Sequence, residues 1–250
     1  MLLSKNKIKF IKSLELKKNR KEAGLFVAEG NKLVNDNLPF MKCETLIATP
    51  EWYASNPDAK APERITVTRE ELSKVSFLKS PQEVMGVFRQ PVYTLDPNQL
   101  NEQLSLVLDT VQDPGNLGTI IRLADWFGIE HIICSPETVD CFSPKTVQAT
   151  MGAIARVKVH YTPLIPFLKA MGDVPVYGTF LEGKNIYSEA LSQTGLIVMG
   201  NEGKGISPDL RPYISKELHI PSYPLERETS ESLNVAIATS IICAEFRRRS

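Results

Sequence analysis

Cysteine is scarce in this chain, with four in 250 residues at positions 43, 134, 141 and 243. There is no Cys-x-x-Cys pair and no histidine at ligand spacing. The pattern argues against a disulfide framework or a thiolate zinc site, predicts free buried thiols, and leaves no metal expected. Histidine is scarcer still: His131, His160 and His219 each fall in or beside a strand-like run without a catalytic partner, and are read as structural. No apolar run approaches the roughly 18 residues needed to span a bilayer, and MLLSKNKIKF lacks the apolar core of a secretion signal. No membrane association and a cytoplasmic location are therefore expected. A phosphate-binding G-x-x-x-x-G-K-[ST] loop is missing, as are a G-x-G-x-x-G turn and a Ser-His-acid set. These absences argue against nucleotide triphosphate, dinucleotide and hydrolase sites.

Net charge is also missing, since 29 basic residues balance 29 acidic ones. Distribution matters more than the sum. Lys5, Lys9, Lys12, Lys18 and Arg20 crowd the start with further lysines, and Arg247, Arg248 and Arg249 cluster near the other end. A local basic face binds phosphates even on a neutral protein, although lysines on the outer face of an amphipathic helix look the same in sequence.

At 42% hydrophobic residues the chain can bury a sizeable core. Ile8, Ile11, Leu14 and Leu16 stand near helical spacing and predict one basic amphipathic helix over 5–18. Short strands at 26–30, 44–49, 64–68 and 83–89 alternate with helices at 31–38 and 69–75, a small α/β domain over 1–95. Residues 96–104 have a linker's composition. From 105 to 250 the alternation is regular, with strands near 105–110, 131–135, 156–161, 174–181, 195–200 and 216–221 and a last helix over 231–248. The expected fold class is α/β with a parallel sheet in the second domain.

Three stretches carry chemistry. In 106–133 an apolar strand ends at Asp109, breaks at Asp-Pro-Gly and resumes as a helix with Leu117, Ile120, Ile121 and Ala124 on one face. This is a βαβ unit whose turn lies at the ligand-binding edge of a parallel sheet. Asn116 stands at the helix start, and Arg122 needs an anionic partner or a wet cleft. In 196–205 a buried strand runs into Gly200-Asn201-Glu202-Gly203-Lys204-Gly205, where glycines let backbone approach a ligand. In 218–236 a strand ending Ile220-Pro221 is followed by Ser232, Leu233 and Asn234, which can cap the last helix or offer polar groups to a ligand.

Taken in order, DPGNLGTIIR, VMGNEGKG and the IP…SLNVAIA pair resemble the three motifs of the SpoU/TrmH family of RNA ribose 2′-O-methyltransferases, of the SPOUT superfamily. The start, with GLFVAEG, resembles the ribosomal-protein-like RNA-binding domain that precedes the catalytic domain in many members. The resemblance implies a trefoil knot in the parallel-sheet domain, S-adenosylmethionine as cofactor, ribosomal or transfer RNA as partner, and a homodimer. It implies cofactor contacts at Gly178, Thr179, Gly200, Ile220 and Leu233. Catalytic positions would be Asn116, Arg122, Glu202, Ser232 and Asn234, with RNA contacts at Lys5, Lys9, Lys12, Lys18 and Arg20. The family assigns its arginine as base, but neutral arginine is costly, so Arg122 is expected to hold the target phosphate and polarise the hydroxyl. One departure from the family is SYPLERETSE, which is longer than the usual connection and lacks glycine; its 225–228 part is expected to cover the cofactor or touch RNA. A noncatalytic RNA-binding scaffold and a base methyltransferase are the competing readings.

Overall fold

The computed structural model describes residues 3–224 and 232–248. It forms two compact units, Met1–Val92 with Asp140–Arg156, and Tyr93–Val139 with Val157–Ser250. The 225–228 stretch expected to act as a cover lies outside the described residues.

In the first unit, α1 (Lys5–Ser13) starts on Ser4, whose hydroxyl accepts from the Lys7 N–H at 3.2 Å, and it buries Ile11. The helix expected to continue through residue 18 instead stops at Leu14 and restarts as α2 (Lys17–Ala23). Arg20 is the reason. It is 2% exposed, and its guanidinium donates to the carbonyls of Leu14 at 2.8 Å and Glu15 at 2.7 Å, and to Asp140 at 2.6 Å. Those carbonyls would be consumed inside a continuous helix.

The chain continues through β1 (Leu25–Glu29), α3 (Asn31–Asn37), β2 (Cys43–Ala48), α4 (Pro50–Ser55), β3 (Glu63–Thr66), α5 (Arg69–Val75) and β4 (Val84–Arg89). The sheet order is β1-β4-β2-β3, antiparallel except for the β2-β3 pair. Gly30, at φ +99°, caps α3, so Asn31 is its first residue and not its cap. Helix α4 was not anticipated, although Thr49-Pro50 is a good start signal: the Thr49 hydroxyl accepts from the Trp52 N–H at 3.3 Å. Ile11, Leu14, Val27, Ile47, Leu72 and Met85 share the core.

The second unit opens at Tyr93 and includes the expected linker, where α6 (Pro97–Leu100) buries Leu100 in the core. It continues with β5 (Leu104–Leu108), α7 (Pro114–Trp126) and β6 (His131–Cys134). The next segment, carrying α8 (Pro144–Thr150), belongs to the first unit. Phe142 lies 4.8 Å from Phe26 between ring centroids, and Asp140 pairs with Arg20. The chain then supplies β7 (Lys158–Tyr161), α9 (Leu164–Ala170), β8 (Val176–Asn185), β9 (Gly195–Met199), β10 (Lys216–His219) and α10 (Val235–Arg248). All six strands are parallel, in the order β10-β8-β9-β5-β6-β7. β5 and β9 are buried along their whole length, as their unbroken apolar runs require of strands covered on both faces.

Candidate active site at the carboxyl edge of the second sheet

The strand order decides where a ligand can enter. From β5 the chain builds outward through β6 and β7, then returns so that β9 lies on the other side of β5. The crevice beyond the carboxyl ends of β5 and β9 is thus the switch point at which open parallel sheets bind ligands. Two of the three motif loops leave those two ends.

Pro114 occupies the first turn of α7, and the Asp113 carboxylate caps the helix by accepting from the Asn116 N–H at 2.8 Å. The cap fixes the Asn116 backbone while its carboxamide reaches outward. Its Nδ2 donates to Glu202 Oε1 at 3.0 Å, and its Oδ1 accepts from Asn234 Nδ2 at 2.9 Å. Asn234 Oδ1 in turn caps α10, accepting from the N–H groups of Ala236 at 3.0 Å and Ile237 at 3.3 Å. One predicted residue from each motif therefore joins a single hydrogen-bonded chain, Glu202–Asn116–Asn234. α10 runs alongside α7 in the same direction. At their far ends Arg247 donates to the carbonyls of Phe127 at 2.7 Å and Gly128 at 3.1 Å, where the negative end of α7 favours a cation. Arg248 pairs with Glu245 at 2.8 Å. Both arginines are thus engaged within the chain, which removes them from the basic cluster read in the sequence.

Beside this chain lies a cleft of about 540 Å³, within the range of small-molecule sites. Thr179, Gly200, Glu202, Ile220, Ser232 and Leu233 all line it, with apolar walls from Phe180, Met199, Ile206 and Leu218. Gly178 does not line it. A side chain there would come within 2.6 Å of Ile214, so this glycine serves packing behind the wall. At Gly200 the backbone itself closes in, and an added Cβ would stand 2.2 Å from the Gly205 carbonyl carbon.

Arg122 is exposed, and no ion pair or side-chain hydrogen bond joins its guanidinium to another described residue. Six residues along a helix place it about 120° around and about 9 Å beyond Asn116. It therefore faces away from the Glu202–Asn116–Asn234 chain within one copy. It shares its face with Trp126, four residues on and 83% exposed.

Three groups missed in the sequence shape the same edge. Asp109 is 4% exposed, Thr110 holds a left-handed φ of +58°, and the Asn201 carboxamide ties its own loop together. Asn201 lay in a motif already noticed; a positive φ at threonine leaves no signal in sequence.

In the first unit Lys5, Lys9 and Lys18 are exposed. Lys12 is half-buried, donating to the Ser76 carbonyl and lying 5.1 Å over the Phe77 ring. Arg20 is corrected from a phosphate contact to a buried clamp, because its guanidinium is already committed to Asp140 and two carbonyls. No helix among the described residues is long and apolar enough to cross a membrane.

Residues 103–244 match the SpoU rRNA Methylase family model, and residues 5–86 match the MRM3-like substrate binding domain. A Bacillus subtilis 23S rRNA (guanosine(2553)-2′-O)-methyltransferase, RlmP, is 32% identical over 247 residues, covering 96% of each chain. A solved putative RNA methyltransferase of the TrmH family from Porphyromonas gingivalis is 40% identical, with a TM-score of 0.91 and full coverage of both chains. An AdoMet-bound rRNA methyltransferase from Sinorhizobium meliloti is 34% identical, with a TM-score of 0.83, covering 97% of this chain and 94% of that one.

Proposed function

The chain belongs to the SpoU rRNA methylase family, and we infer that it methylates a ribose 2′-hydroxyl of ribosomal RNA with S-adenosylmethionine. The observation that carries this reading is the Glu202–Asn116–Asn234 chain at the mouth of the cleft, which unites the three motifs. S-adenosylmethionine supplies an electrophilic methyl group on a sulfonium. The residues present suit it: the apolar walls would take an apolar ring face, backbone at Gly200, Ile220 and Leu233 would offer polar contacts, and the Glu202 carboxylate would favour a cation nearby.

The remaining work is alignment and proton removal. Asn116, held from both sides, orients the ribose. Ser232, in the cleft wall, and Asn234, bonded to Asn116, would hold the cofactor or the arginine. Arg122 keeps its charge, grips the target phosphate with its planar fork and polarises the hydroxyl, whose proton leaves to water.

The homodimer belongs to this reading. Arg122 and the exposed Trp126 share one face of α7, and Ile237, 52% exposed, lies on the neighbouring α10. A second copy covering this apolar face would bring its own Arg122 to the opposite site. The trefoil knot also belongs here, resting on the family to which the chain belongs. So do the division into a binding domain over 1–95 and a catalytic domain over 105–250, RNA contacts from Lys5, Lys9 and Lys18, and a cytoplasmic location.

The test is incubation with ribosomal RNA and labelled S-adenosylmethionine, followed by alkaline hydrolysis. Label in alkali-resistant dinucleotides is expected; label in alkali-labile mononucleotides would mean base methylation, and none in either, from protein that binds the cofactor, would refute the activity. Mixing Arg122→Ala with Asn116→Ala subunits should restore turnover if the arginine acts across the dimer.

A further inference from the structure

Asp109 and Thr110 touch neither the cleft nor the Glu202–Asn116–Asn234 chain, yet they hold the loop that belongs to both. Thr110 stands just beyond β5 at φ +58°. A β-branched residue there is strained and persists only where its surroundings over-determine it. Three groups do so. The Thr110 N–H donates to Ser135 Oγ at 3.1 Å, its hydroxyl donates to Asp109 Oδ1 at 3.0 Å, and its carbonyl accepts from Asn201 Nδ2 at 2.8 Å. The other Asp109 oxygen, Oδ2, accepts from the Ser207 N–H at 2.7 Å. Asn201 Oδ1 accepts from the N–H groups of Gly203 and Lys204, each at 3.0 Å. The loop leaving β9 is thus pinned at its start through Asn201 and at its end through Ser207, both pins running back to the two residues after β5.

We propose that Asp109 and Asn201 are positioning residues that clamp the 200–207 loop onto the strained Thr110, setting the cofactor cleft and the direction of Glu202. The inference rests on the activity inferred above. The twist at Thr110 turns its carbonyl toward Asn201, so the strain at one strand end is used to fix the register of the neighbouring loop. Asp109 is too deeply buried, and its two oxygens too fully engaged, to meet a substrate. Its influence runs through backbone.

The test compares wild type, Asp109→Ala, Asp109→Asn and Asn201→Ala, by amide hydrogen exchange without ligand and by calorimetric titration with S-adenosylmethionine. Asparagine can still accept from Ser207 and donate to the Thr110 hydroxyl, so Asp109→Asn should stay near wild type in both measurements. Asp109→Ala should speed exchange at Ser207, and Asn201→Ala at Gly203 and Lys204, by about tenfold or more, with β5 and β9 amides unchanged. Cofactor affinity should fall by about tenfold in both alanine variants, and single-turnover methyl transfer by up to about a hundredfold. Unchanged loop exchange with affinity within about twofold of wild type would overturn the clamp, as would acceleration spread evenly over the whole sheet. Wild type that binds no S-adenosylmethionine would count against the inferred activity instead, and the exchange data, collected without ligand, would still accept or reject the clamp.

Discussion

Substituting Gly200 with alanine adds one methyl group where the chain has no room for it. The new Cβ would stand 2.2 Å from the Gly205 carbonyl carbon, 2.3 Å from the Ile206 nitrogen and 2.4 Å from the Gly205 oxygen. All three are backbone atoms, so no side chain can rotate away and the loop itself must move. Overpacking of this kind typically costs about 1–3 kcal/mol. For a chain of this size that corresponds to about 2–12 °C in melting temperature. If the loop shifts to relieve the clash, the same energy is taken from cofactor binding, a loss of about 5-fold to 150-fold. Gly172→Ala is the control: its φ of +57° makes alanine strained, but nothing lies within 4 Å of the added atom and the cleft does not include it. It should lower the melting temperature by a few degrees and leave binding unchanged. Calorimetric titration with S-adenosylmethionine beside thermal melts of both variants separates the two effects. A Gly200→Ala protein that binds within about twofold of wild type would refute the claim that this backbone approach shapes the cleft.

Arg122→Lys keeps the charge and loses the planar fork, so cofactor binding should be unchanged while turnover on RNA drops by about 10²-fold; near-normal turnover would remove Arg122 from the reaction. Arg20→Met leaves Asp140 without its cation in a largely buried place, and removing one partner of such a pair costs about 3–5 kcal/mol, readable in urea denaturation. Burial and the facing His131 hold His160 well below the usual 6.5, at about 4, with the two rings joined Nδ1 to Nε2 at 3.0 Å. The unfolded chain therefore takes up the proton first, so stability is full above pH 6.5 and falls as pH drops toward 4, by about 3 kcal/mol from this group. His160→Phe should flatten that part of the stability–pH curve, and an unchanged slope would refute the assignment.

Much of the second unit was legible because its signals are local. The run ending at Asp109, the Asp-Pro-Gly break and the Leu117-Ile120-Ile121-Ala124 face each act within a few residues, and β5, α7 and β6 follow them closely. The same holds for α5, whose Thr68–Glu71 capping box fixes its start. What was missed depends on distant partners. The break after Leu14 is produced by Arg20, whose own commitment depends on Asp140, 120 residues away. Nothing near either residue announces the pair, so Arg20 reads as one more surface cation. Gly178, inside β8, and Gly200, just after β9, are equivalent as letters in apolar strand-like runs. Only the neighbours, an Ile214 side chain in one case and the Gly205 backbone in the other, separate a packing glycine from one that shapes the cleft.

The clustering of the three motifs has a consequence for how cofactor and RNA communicate. Glu202 lines the cleft and also accepts from Asn116, and Asn116 is in turn held by Asn234, across sequence separations of 86 and 118 residues. A carboxylate shared in this way cannot move toward a cationic ligand without drawing on the Asn116 amide. The chain is short and partly buried, where hydrogen bonds reinforce one another. Filling the cleft should therefore stiffen Asn116, as slower exchange of its neighbouring amides on adding S-adenosylmethionine would show. The tie of Asn234 to the start of α10 extends the same coupling to the helix turn that bears Ile237. Cofactor binding then acts on one polar chain built from all three motifs, Glu202, Asn116 and Asn234.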